Sequence, residues 1–559
     1  MDIYSYIWEE DSTYHRSNSR PVFLHCCKHL YWFQNRFLTT RPCIIFSLAR
    51  SQHWNDQNMD AARLLLVFLM IDFSKHSRSD TIISTTHGDV KGLDKLVSGR
   101  LVNVYWGIPY ATIPARFQRP ERAQPWQGVY DAVTPPPSCP EVPYPFEPPL
   151  IPATTTPFDE DCLFLNIWVP QGCQAKNANG QALAVMVWIH GGVFEWGSTT
   201  VPTYDGQVLA ASQCVIVASM NYRLGPLGFL SLGSDRAPGN VGILDQNMAL
   251  RWIHENINNF GGNPELITLF GESFGAVSVG VHMTSPLSRD LFSRAIMQSG
   301  TATEKWVRRT LSKNIHNAQE LAKLVDCPSG DDHDSMITCL SGVDSVTLGR
   351  AVLRIPGFQP PGFGLIVDGY VLPEQLGEPY FRGDVKNFDV MLGANKNEAS
   401  TFLSTIAPGP HTAKDGRPQM DRSTFQQLLT GFVLQVMADP PENVSLVSEL
   451  VEYIYMSSSL PSERDDHHTA LEKVLQDLCL VCPMYPTAIP FVDHSDVFMY
   501  SFEHRTSVTT FPEWMGVVHA SELDLVFGRP VDKEGLFTDQ ERHLSNVMMT
   551  AWANFAKFG

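Results

Sequence analysis

The sequence predicts an α/β fold built on one large, mostly parallel sheet with helices on both faces. Residues 183–192 (LAVMVWIHGG) and 214–225 (CVIVASMNYRLG) are nearly continuous apolar runs, and residues 266–271 (LITLFG) form a third. Between the second and third runs, apolar residues recur with a helical period from Ile243 to Ile257 and end at Asn-Asn-Phe-Gly-Gly. Apolar strands that alternate with helices are typical of a parallel sheet covered on both faces.

Further elements extend this pattern over most of the chain. Residues 85–92 (TTHGDVKG) alternate around a His-Gly turn, which predicts a hairpin. Residues 388–395 and 496–504 are apolar runs that again indicate buried strands. The sequence contains no repeat and no long linker, so residues 80–559 are predicted to form a single large domain.

The composition predicts a folded protein with an acidic surface. Of the 559 residues, 43% are hydrophobic and 18% are charged, which supplies enough apolar material for a large core. The formal net charge of −18 disfavours nucleic acid and anionic membranes as partners. The same charge could steer cationic substrates, or it could serve only to keep the protein in solution.

The N-terminal region differs from the rest of the chain. Residues 1–58 show no clear helix or strand period and are predicted to be disordered or absent from the mature protein. Residues 59–79 resemble a secretory signal peptide, with Arg63 before the apolar run Leu64–Ile71 and small residues after it. That run is too short to span a bilayer, and its alternative interpretation is a short buried helix. The prediction is therefore export from Met59, with no transmembrane segment.

Cysteine usage favours an exported protein. The chain has 11 cysteines, and two pairs have separations typical of disulfide-closed loops, Cys139 with Cys162 and Cys327 with Cys339. Cys214 lies in an apolar run and is predicted to be a buried free thiol, whereas Cys173 has no predicted partner.

Two further features concern modification and cofactors. Asn443 begins an Asn-Val-Ser sequon, which would be glycosylated in a secreted chain. Cys26, Cys27 and His29 could indicate a metal, but their spacing matches no zinc pattern. No metal and no organic cofactor is predicted.

The segment GESFG, residues 271–275, is the strongest candidate for chemistry. A Gly-x-Ser-x-Gly pattern alone is weak, but this one follows an apolar strand, precedes a predicted helix and occurs once in the chain. That context is typical of a nucleophile elbow, in which a sharp turn exposes the hydroxyl of Ser273 beside the N–H groups of a helix terminus. The alternative is an ordinary glycine-rich turn with a capping serine.

Partners for such a nucleophile follow in the required order. A serine needs a histidine to accept its proton, and the histidine needs a carboxylate to hold its tautomer. Glu398 lies in the loop after the apolar run 388–395, and His519 lies in a glycine-containing loop before another apolar run. Paired glycines after the run 183–189 provide a candidate oxyanion hole.

Several long motifs resemble the type-B carboxylesterases of the cholinesterase family. The segments are FGESFGAVSVGVHMTSPLSRDLFSRAIMQSG (270–300), EDCLFLNIWVP (160–170), GNVGILDQNMALRW, NKNEAS and EWMGVVHASELDLVFG, in the family's order. The resemblance covers residues 81–559. It implies an α/β-hydrolase fold and hydrolysis of small-molecule esters through an acyl-enzyme.

The resemblance also implies roles for individual residues. Ser273 would be the nucleophile, Glu398 the acid and His519 the base, and both disulfide pairs match family positions. The oxyanion hole would be formed by the backbone N–H groups of Gly192, Val193 and Phe274. The supporting carboxylates would be Glu272 and Glu522. The aromatic residues of the acyl pocket would be Trp306 and Phe402. The alternatives are solvated surface acids for the two glutamates and plain core packing for the two aromatics. The chain ends where relatives continue, so a truncated C-terminus is expected.

Two departures from the family pattern concern catalysis. Relatives have glycine where this chain has Val193 and alanine where it has Phe274. Both backbone N–H groups survive, but the larger side chains could crowd the oxyanion hole. Slowed or retuned catalysis is therefore one expectation, and a catalytically weak binding or adhesion protein is the competing one.

The choline site implied by the family is incomplete. A quaternary ammonium binds the face of a tryptophan, which relatives carry between the first two disulfide cysteines. Here the aromatic residues of that loop are Tyr144, Phe146 and Phe158. At two further positions where relatives have an aromatic residue, this chain has Thr401 and Ser521. The sequence therefore predicts a general carboxylesterase of cholinesterase descent, with a true cholinesterase as the alternative.

Overall fold

The structure of the protein is a computed structural model. It describes residues 44–48, 81–143, 152–173, 182–357, 360–406, 417–436, 443–457, 466–533 and 535–559. The predicted signal peptide, residues 59–79, lies outside the described residues, and so do Tyr144 and Phe146.

Seventeen strands are described, and ten of them form one central sheet. Their bounds are β1 Ile44–Leu48, β2 Ile82–Thr85, β3 Gly88–Lys91, β4 Leu93–Val97, β5 Arg100–Pro109, β6 Ala111–Thr112, β7 Glu121–Arg122, β8 Val129–Asp131, β9 Phe164–Pro170, β10 Leu183–Ile189, β11 Ile216–Met220, β12 Ser231–Ser234, β13 Ala237–Pro238, β14 Gly262–Glu272, β15 Arg294–Gln298, β16 Asp389–Asn395 and β17 Val497–Phe502. The order across the central sheet is β1-β17-β16-β15-β14-β10-β11-β9-β5-β4.

The central sheet is mostly parallel. Neighbouring strands from β1 to β11 in that order pair in parallel, and the pairs β11–β9, β9–β5 and β5–β4 are antiparallel. The apolar runs that predicted the fold are β10, β11, β14, β16 and β17. The predicted hairpin is the antiparallel pair β2–β3.

Sixteen α-helices are described between and beyond these strands. Their bounds are α1 Gln207–Gln213, α2 Gly225–Phe229, α3 Val241–Asn256, α4 Phe274–Thr284, α5 Leu311–Leu324, α6 His333–Ser341, α7 Ser345–Val352, α8 Glu378–Arg382, α9 Ser400–Ile406, α10 Arg422–Val436, α11 Val444–Ser457, α12 His467–Gln476, α13 Met484–Ala488, α14 Leu523–Val526, α15 Arg529–Asp532 and α16 Asp539–Phe558.

The central sheet is buried on both faces, as its sequence pattern predicts. Alternate residues of β10 enter two separate cores: Val185, Val187 and Ile189 pack into one, and Met186 and Trp188 into the other. Helices α3 and α4 contribute to the first core, and α1, α14 and α16 to the second. Because successive strand side chains point to opposite faces, a continuous apolar run fits only a sheet covered on both sides. The predicted α/β class is confirmed.

The N-terminal region contributes one strand. No element was expected in residues 1–58, yet β1 (Ile44–Leu48) pairs in parallel with β17 at the edge of the central sheet. A short apolar run outside the alternating series of strands and helices does not by itself distinguish a strand from a helix segment, which is why the pattern did not reveal it. The exclusion of residues 1–58 from the mature protein stays a prediction.

The disulfides agree with the sequence in two cases and correct it in a third. Cys139–Cys162 and Cys327–Cys339 are bonded, as predicted. The predicted free thiol of Cys214 is wrong, because Cys214 bonds to Cys173. Helix α1 ends at Gln213 and β11 begins at Ile216, so Cys214 lies in the turn between them rather than inside the buried strand.

The described residues include one helical run that could cross a membrane by length and composition, and no cluster of metal ligands. One helical run, His467–Phe491, is long and apolar enough to cross a membrane, but 56% of its most apolar window is buried inside the fold, as in a core helix. Within the described ranges, no group of three or more His, Cys, Asp or Glu side chains is arranged to hold a metal ion.

Candidate active site

Ser273 lies at the sharp turn between β14 and α4. Strand β14 ends at Glu272 and α4 begins at Phe274, which leaves Ser273 as the N-cap with φ 57° and ψ −127°. Its backbone N–H donates to Gln298 O at 2.8 Å, and its carbonyl accepts from Val277 N at 3.0 Å. A non-glycine residue at positive φ is strained, and such strain is held in place only by surrounding packing.

Close packing explains the two glycines that flank the turn. A Cβ on Gly275 would lie 2.1 Å from Ile189 O, and a Cβ on Gly271 would lie 2.5 Å from the carbonyl carbon of Gly275. The strand, the turn and the helix therefore approach more closely than any side chain permits. This is the physical reason for the Gly-x-Ser-x-Gly spacing.

The structure brings His519 and Glu398 together. His519 Nδ1 lies 2.6 Å from Glu398 Oε2, and both side chains are buried. The other carboxylate oxygen of Glu398 accepts hydrogen bonds from Ser299 Oγ and from Asn395 N, each at 2.5 Å. A proton on Nδ1 of His519 is therefore bonded to the carboxylate, and Nε2 is left as the basic nitrogen.

Nε2 of His519 faces Glu272, the residue before Ser273. Its distance to Glu272 Oε1 is 3.0 Å, so the two groups form an ion pair when His519 is protonated. No hydrogen bond joins Ser273 Oγ to His519. Bonds of this kind are commonly long before substrate binds and tighten in the reacting complex.

Two opposing effects set the proton affinity of His519. Burial by itself lowers the pKa of the imidazole, but the carboxylates of Glu272 and Glu398 outweigh it and raise the pKa well above its usual value. Only neutral His519 can accept a proton. A base at this position is therefore active on the alkaline side of its raised pKa and is lost as the pH falls through it.

Replacing Glu272 with glutamine should move the acid limb of the kcat/KM–pH profile to lower pH. The substitution removes one of the two negative charges that raise the pKa of His519. The matched control is Glu265→Gln, which removes the same charge from an exposed position on the same strand. An unchanged limb in Glu272→Gln, or an equal shift in the control, would contradict this account of His519.

Glu522 belongs to a buried polar network beside this pair. Its two oxygens accept from Gln298 Nε2 at 2.9 Å and from Asn395 Nδ2 at 2.7 Å, and Gln298 also accepts from Trp552 Nε1 at 2.9 Å. Burial, followed by the charges of Glu272 and Glu398, raises the pKa of Glu522 to about 7. Glu272 and Glu522 are only 3% and 0% exposed, so neither is a solvated surface acid.

Glu304 is a buried acid that the sequence did not single out. It is 2% exposed, and its Oε1 accepts from Thr301 N at 2.8 Å. Burial raises the pKa of this carboxyl well above its usual range, although the nearby charge of His519 lowers it. A glutamate in a polar loop is expected to be exposed to solvent. The sequence feature that could have indicated burial of Glu304 was its position two residues before Trp306.

Three consecutive residues of the loop after β10 have positive φ. The φ angles are 105° at Gly192, 58° at Val193 and 60° at Phe194. A Cβ on Gly192 would lie 2.0 Å from Trp196 O, so only glycine fits there. Among the described residues, no acceptor is bonded to the backbone N–H of Gly192, Val193 or Phe274. Donors left free in this way are what an oxyanion hole requires.

Val193→Gly should raise turnover on small esters and should lower the denaturation midpoint less than Val201→Gly does. Both side chains are buried, so both substitutions lose packing. At Val193 part of this loss is offset, because a β-branched residue at a φ of 58° is strained by about 1–3 kcal/mol, whereas Val201 has an ordinary φ of −63°. Unchanged turnover in Val193→Gly would argue against crowding of the hole, and an equal drop of the midpoint in both variants would argue against strain.

Phe274 packs into an aromatic cluster. Its ring meets Phe194 edge to face at 4.8 Å and Trp306 at 5.1 Å, and Phe194 stacks on Phe229 at 4.4 Å. The bulky ring therefore finds room between Phe194 and Trp306. Edge-to-face pairs contribute about 0.5–1.5 kcal/mol each beyond burial, so the cluster also stiffens this wall of the site.

The two predicted acyl-pocket aromatics lie beside the cluster and the histidine. Trp306 is partly buried against Phe274, and its indole N–H donates to Cys479 O at 3.4 Å. The ring centroid of Phe402 lies 5.0 Å from that of His519. Phe158, from the implied choline loop, is 44% exposed, and Thr401 is buried.

The chain is similar to known proteins over most of its length. The model of the carboxylesterase family matches residues 79–559. Cholinesterase of Mus musculus is 37% identical over 509 residues, which cover 89% of this chain and 82% of that protein. Acetylcholinesterase of Electrophorus electricus is 36% identical over 549 residues, covering 90% and 84%, and that of Bungarus fasciatus is 37% identical over 495 residues, covering 85% and 78%.

Proposed function

The chain belongs to the carboxylesterase family, and from that membership we propose that it hydrolyses carboxylic esters with Ser273 as nucleophile, His519 as base and Glu398 as the orienting acid. The observation that carries this proposal is the 2.6 Å contact of His519 Nδ1 with Glu398 beside a serine held at a strained strand-to-helix turn. Such a trio is recognised by geometry and role.

The proposed reaction proceeds in two halves. Ser273 Oγ attacks the ester carbonyl carbon while His519 Nε2 takes the hydroxyl proton, and collapse of the tetrahedral intermediate breaks the ester C–O bond. The alcohol leaves with the proton from His519, and the acyl group stays on Ser273. Water then attacks the acyl-enzyme by the same route, which releases the carboxylic acid and restores the serine.

The negative oxygen of each intermediate needs preorganised donors. The free N–H groups of Gly192, Val193 and Phe274 support this role, and their positions follow the family pattern. Loss of one such donor typically costs about 10²–10³ in turnover. The fold at these positions therefore sets the rate that this chain can reach.

We further propose that the substrates are neutral esters with a small acyl group. Phe274 and Trp306 fill space on the proposed acyl side. The implied choline positions lack the tryptophan that binds a quaternary ammonium. The relatives include cholinesterases, so choline esters are the natural comparison substrates.

A matched substrate pair tests this assignment. Acetylthiocholine and its uncharged isostere, 3,3-dimethylbutyl thioacetate, should be hydrolysed with similar kcat/KM at high salt, where long-range steering by net charge is screened. A desolvated cation–π contact of about 2 kcal/mol would instead favour the cation roughly 30-fold. A preference of that size would indicate a true cholinesterase.

A catalytically weak binding protein is the second candidate. The strained Val193 and the missing bond between Ser273 and His519 favour it. An ester panel with short acyl naphthyl esters separates the two candidates, because a binding protein would hydrolyse none of them above the rate of a Ser273→Ala variant.

Export is also proposed. Three disulfides among the described residues support an oxidising compartment. Asn443, the predicted glycosylation site, is exposed just before α11. The signal peptide at residues 59–79 stays a prediction that N-terminal sequencing of the secreted protein would check.

A further inference from the structure

A cavity lies along α3, away from Ser273, Glu398 and His519. It has a volume of about 390 Å³ and is lined by residues of α3, by the segment around β7, and by Leu287 and Tyr370. Pockets for small molecules usually measure about 300–1,000 Å³. None of its lining residues belongs to the catalytic network described above. We call it the arginine cavity, after its three arginines, Arg119, Arg122 and Arg251.

The arginine cavity is positively charged in an acidic protein. Its lining carries three guanidinium groups and one carboxylate, Glu255, which pairs with Arg122. The lining therefore has a net charge of +2, whereas the chain as a whole carries −18. Asp235 also approaches Arg119 at 3.9 Å, but it is fully exposed, and exposed pairs of this kind contribute little.

Two of the guanidinium groups keep donors for a ligand. Arg251 is positioned by bonds from Nε to Asn247 Oδ1 at 2.9 Å and from Nη2 to Leu287 O at 3.0 Å, and its Nη1 has no acceptor among the described residues. Arg119 donates no hydrogen bond within the described ranges and lies 4.9 Å over the ring of Tyr370. A guanidinium held by its neighbours with donors to spare is suited to a carboxylate.

The inner wall of the cavity is apolar. Leu244, Trp252 and Tyr110 are buried there, and Met248 and Leu287 continue the surface. Charge at the rim and apolar surface inside together define an amphiphilic site.

We propose that the arginine cavity binds an amphiphilic organic carboxylate, with its carboxylate held between Arg119 and Arg251 and its apolar body against Leu244 and Trp252. This inference does not depend on the proposed esterase activity, since it rests on the cavity alone. Binding should weaken with salt, because the rim arginines are exposed.

Calorimetric titration of the full chain with decanoate tests the proposal. The wild type should bind decanoate, and the double variant Arg119→Gln/Arg251→Gln should bind it about tenfold more weakly or worse, because hydrogen bonds to charged groups are among the strongest. Decyltrimethylammonium, with the same chain and the opposite charge, should not compete.

The matched control is Arg236→Gln/Arg382→Gln. It makes the same change in net charge at two exposed arginines outside the cavity, and its affinity for decanoate should stay within about twofold of the wild type. Equal melting temperatures of the two double variants would show that both are folded. Absence of decanoate binding to the wild type, or binding that is unchanged in Arg119→Gln/Arg251→Gln, would overturn the proposal.

Discussion

Replacing Ser273 with alanine is expected to lower kcat for a neutral acetate ester on the order of 10⁴–10⁶-fold. The substitution removes the only atom proposed to form the acyl-enzyme, and residual turnover would come from binding and from the free N–H groups alone. Steady-state hydrolysis of p-nitrophenyl acetate measures the effect.

Ser285→Ala is the matched control for this substitution. Ser285 is also buried, and its hydroxyl has no hydrogen-bond partner among the described residues. Its removal should leave kcat within a few-fold of the wild type and stability nearly unchanged. A Ser273→Ala variant that keeps more than about a tenth of wild-type turnover would exclude the acyl-enzyme route proposed here.

Glu398→Gln is expected to lower kcat by about 10⁴ while preserving the shape of the site. The amide keeps an oxygen for Ser299 Oγ and Asn395 N, but it no longer holds a negative charge against His519 Nδ1. The imidazole then loses both its correct tautomer and the partner that stabilises its protonated form.

Glu472→Gln provides the comparison for a buried carboxylate. Glu472 is 4% exposed and accepts from Ser400 Oγ at 2.7 Å and from Asn397 Nδ2 at 3.1 Å, without contacting His519. Removing the negative charge of Glu472 should lower the stability of the fold more than it lowers kcat. If both substitutions reduced kcat equally, the effect of Glu398 would be structural, and its proposed role would be wrong.

The sequence could predict the sheet because burial leaves a direct pattern. A strand covered on both faces must be apolar at every position, so β10, β11, β14, β16 and β17 were recognisable without any structure. Strand β1 was missed because its apolar run stands outside the alternating series of strands and helices, and a short apolar run alone does not distinguish a strand from a helix segment.

The sequence could also predict which residues form the candidate site. It could not predict all the buried charges around them. Ser273, Glu398 and His519 were found from the order of motifs. The burial of Glu304 and the contact of His519 with Glu272 depend on how separate loops pack. No local pattern encodes such packing, and the Cys173–Cys214 disulfide was missed for the same reason.

The two departures from the family pattern have different structural consequences. Phe274 is accommodated, because Phe194 and Trp306 form a cleft around its ring. Val193 is tolerated at a backbone conformation that favours glycine. The loop proposed to form the oxyanion hole, rather than the serine, is therefore where we expect a limit on turnover.

The central claim is that Ser273 is an activated nucleophile, and covalent labelling tests it most directly. The wild-type protein would be treated with a fluorophosphonate probe at neutral and mildly alkaline pH, digested, and mapped by mass spectrometry. We predict a single phosphonylated residue, Ser273, with faster labelling at the higher pH, because His519 must be neutral to accept the proton. A folded wild-type protein that remains unlabelled at Ser273 would contradict the account.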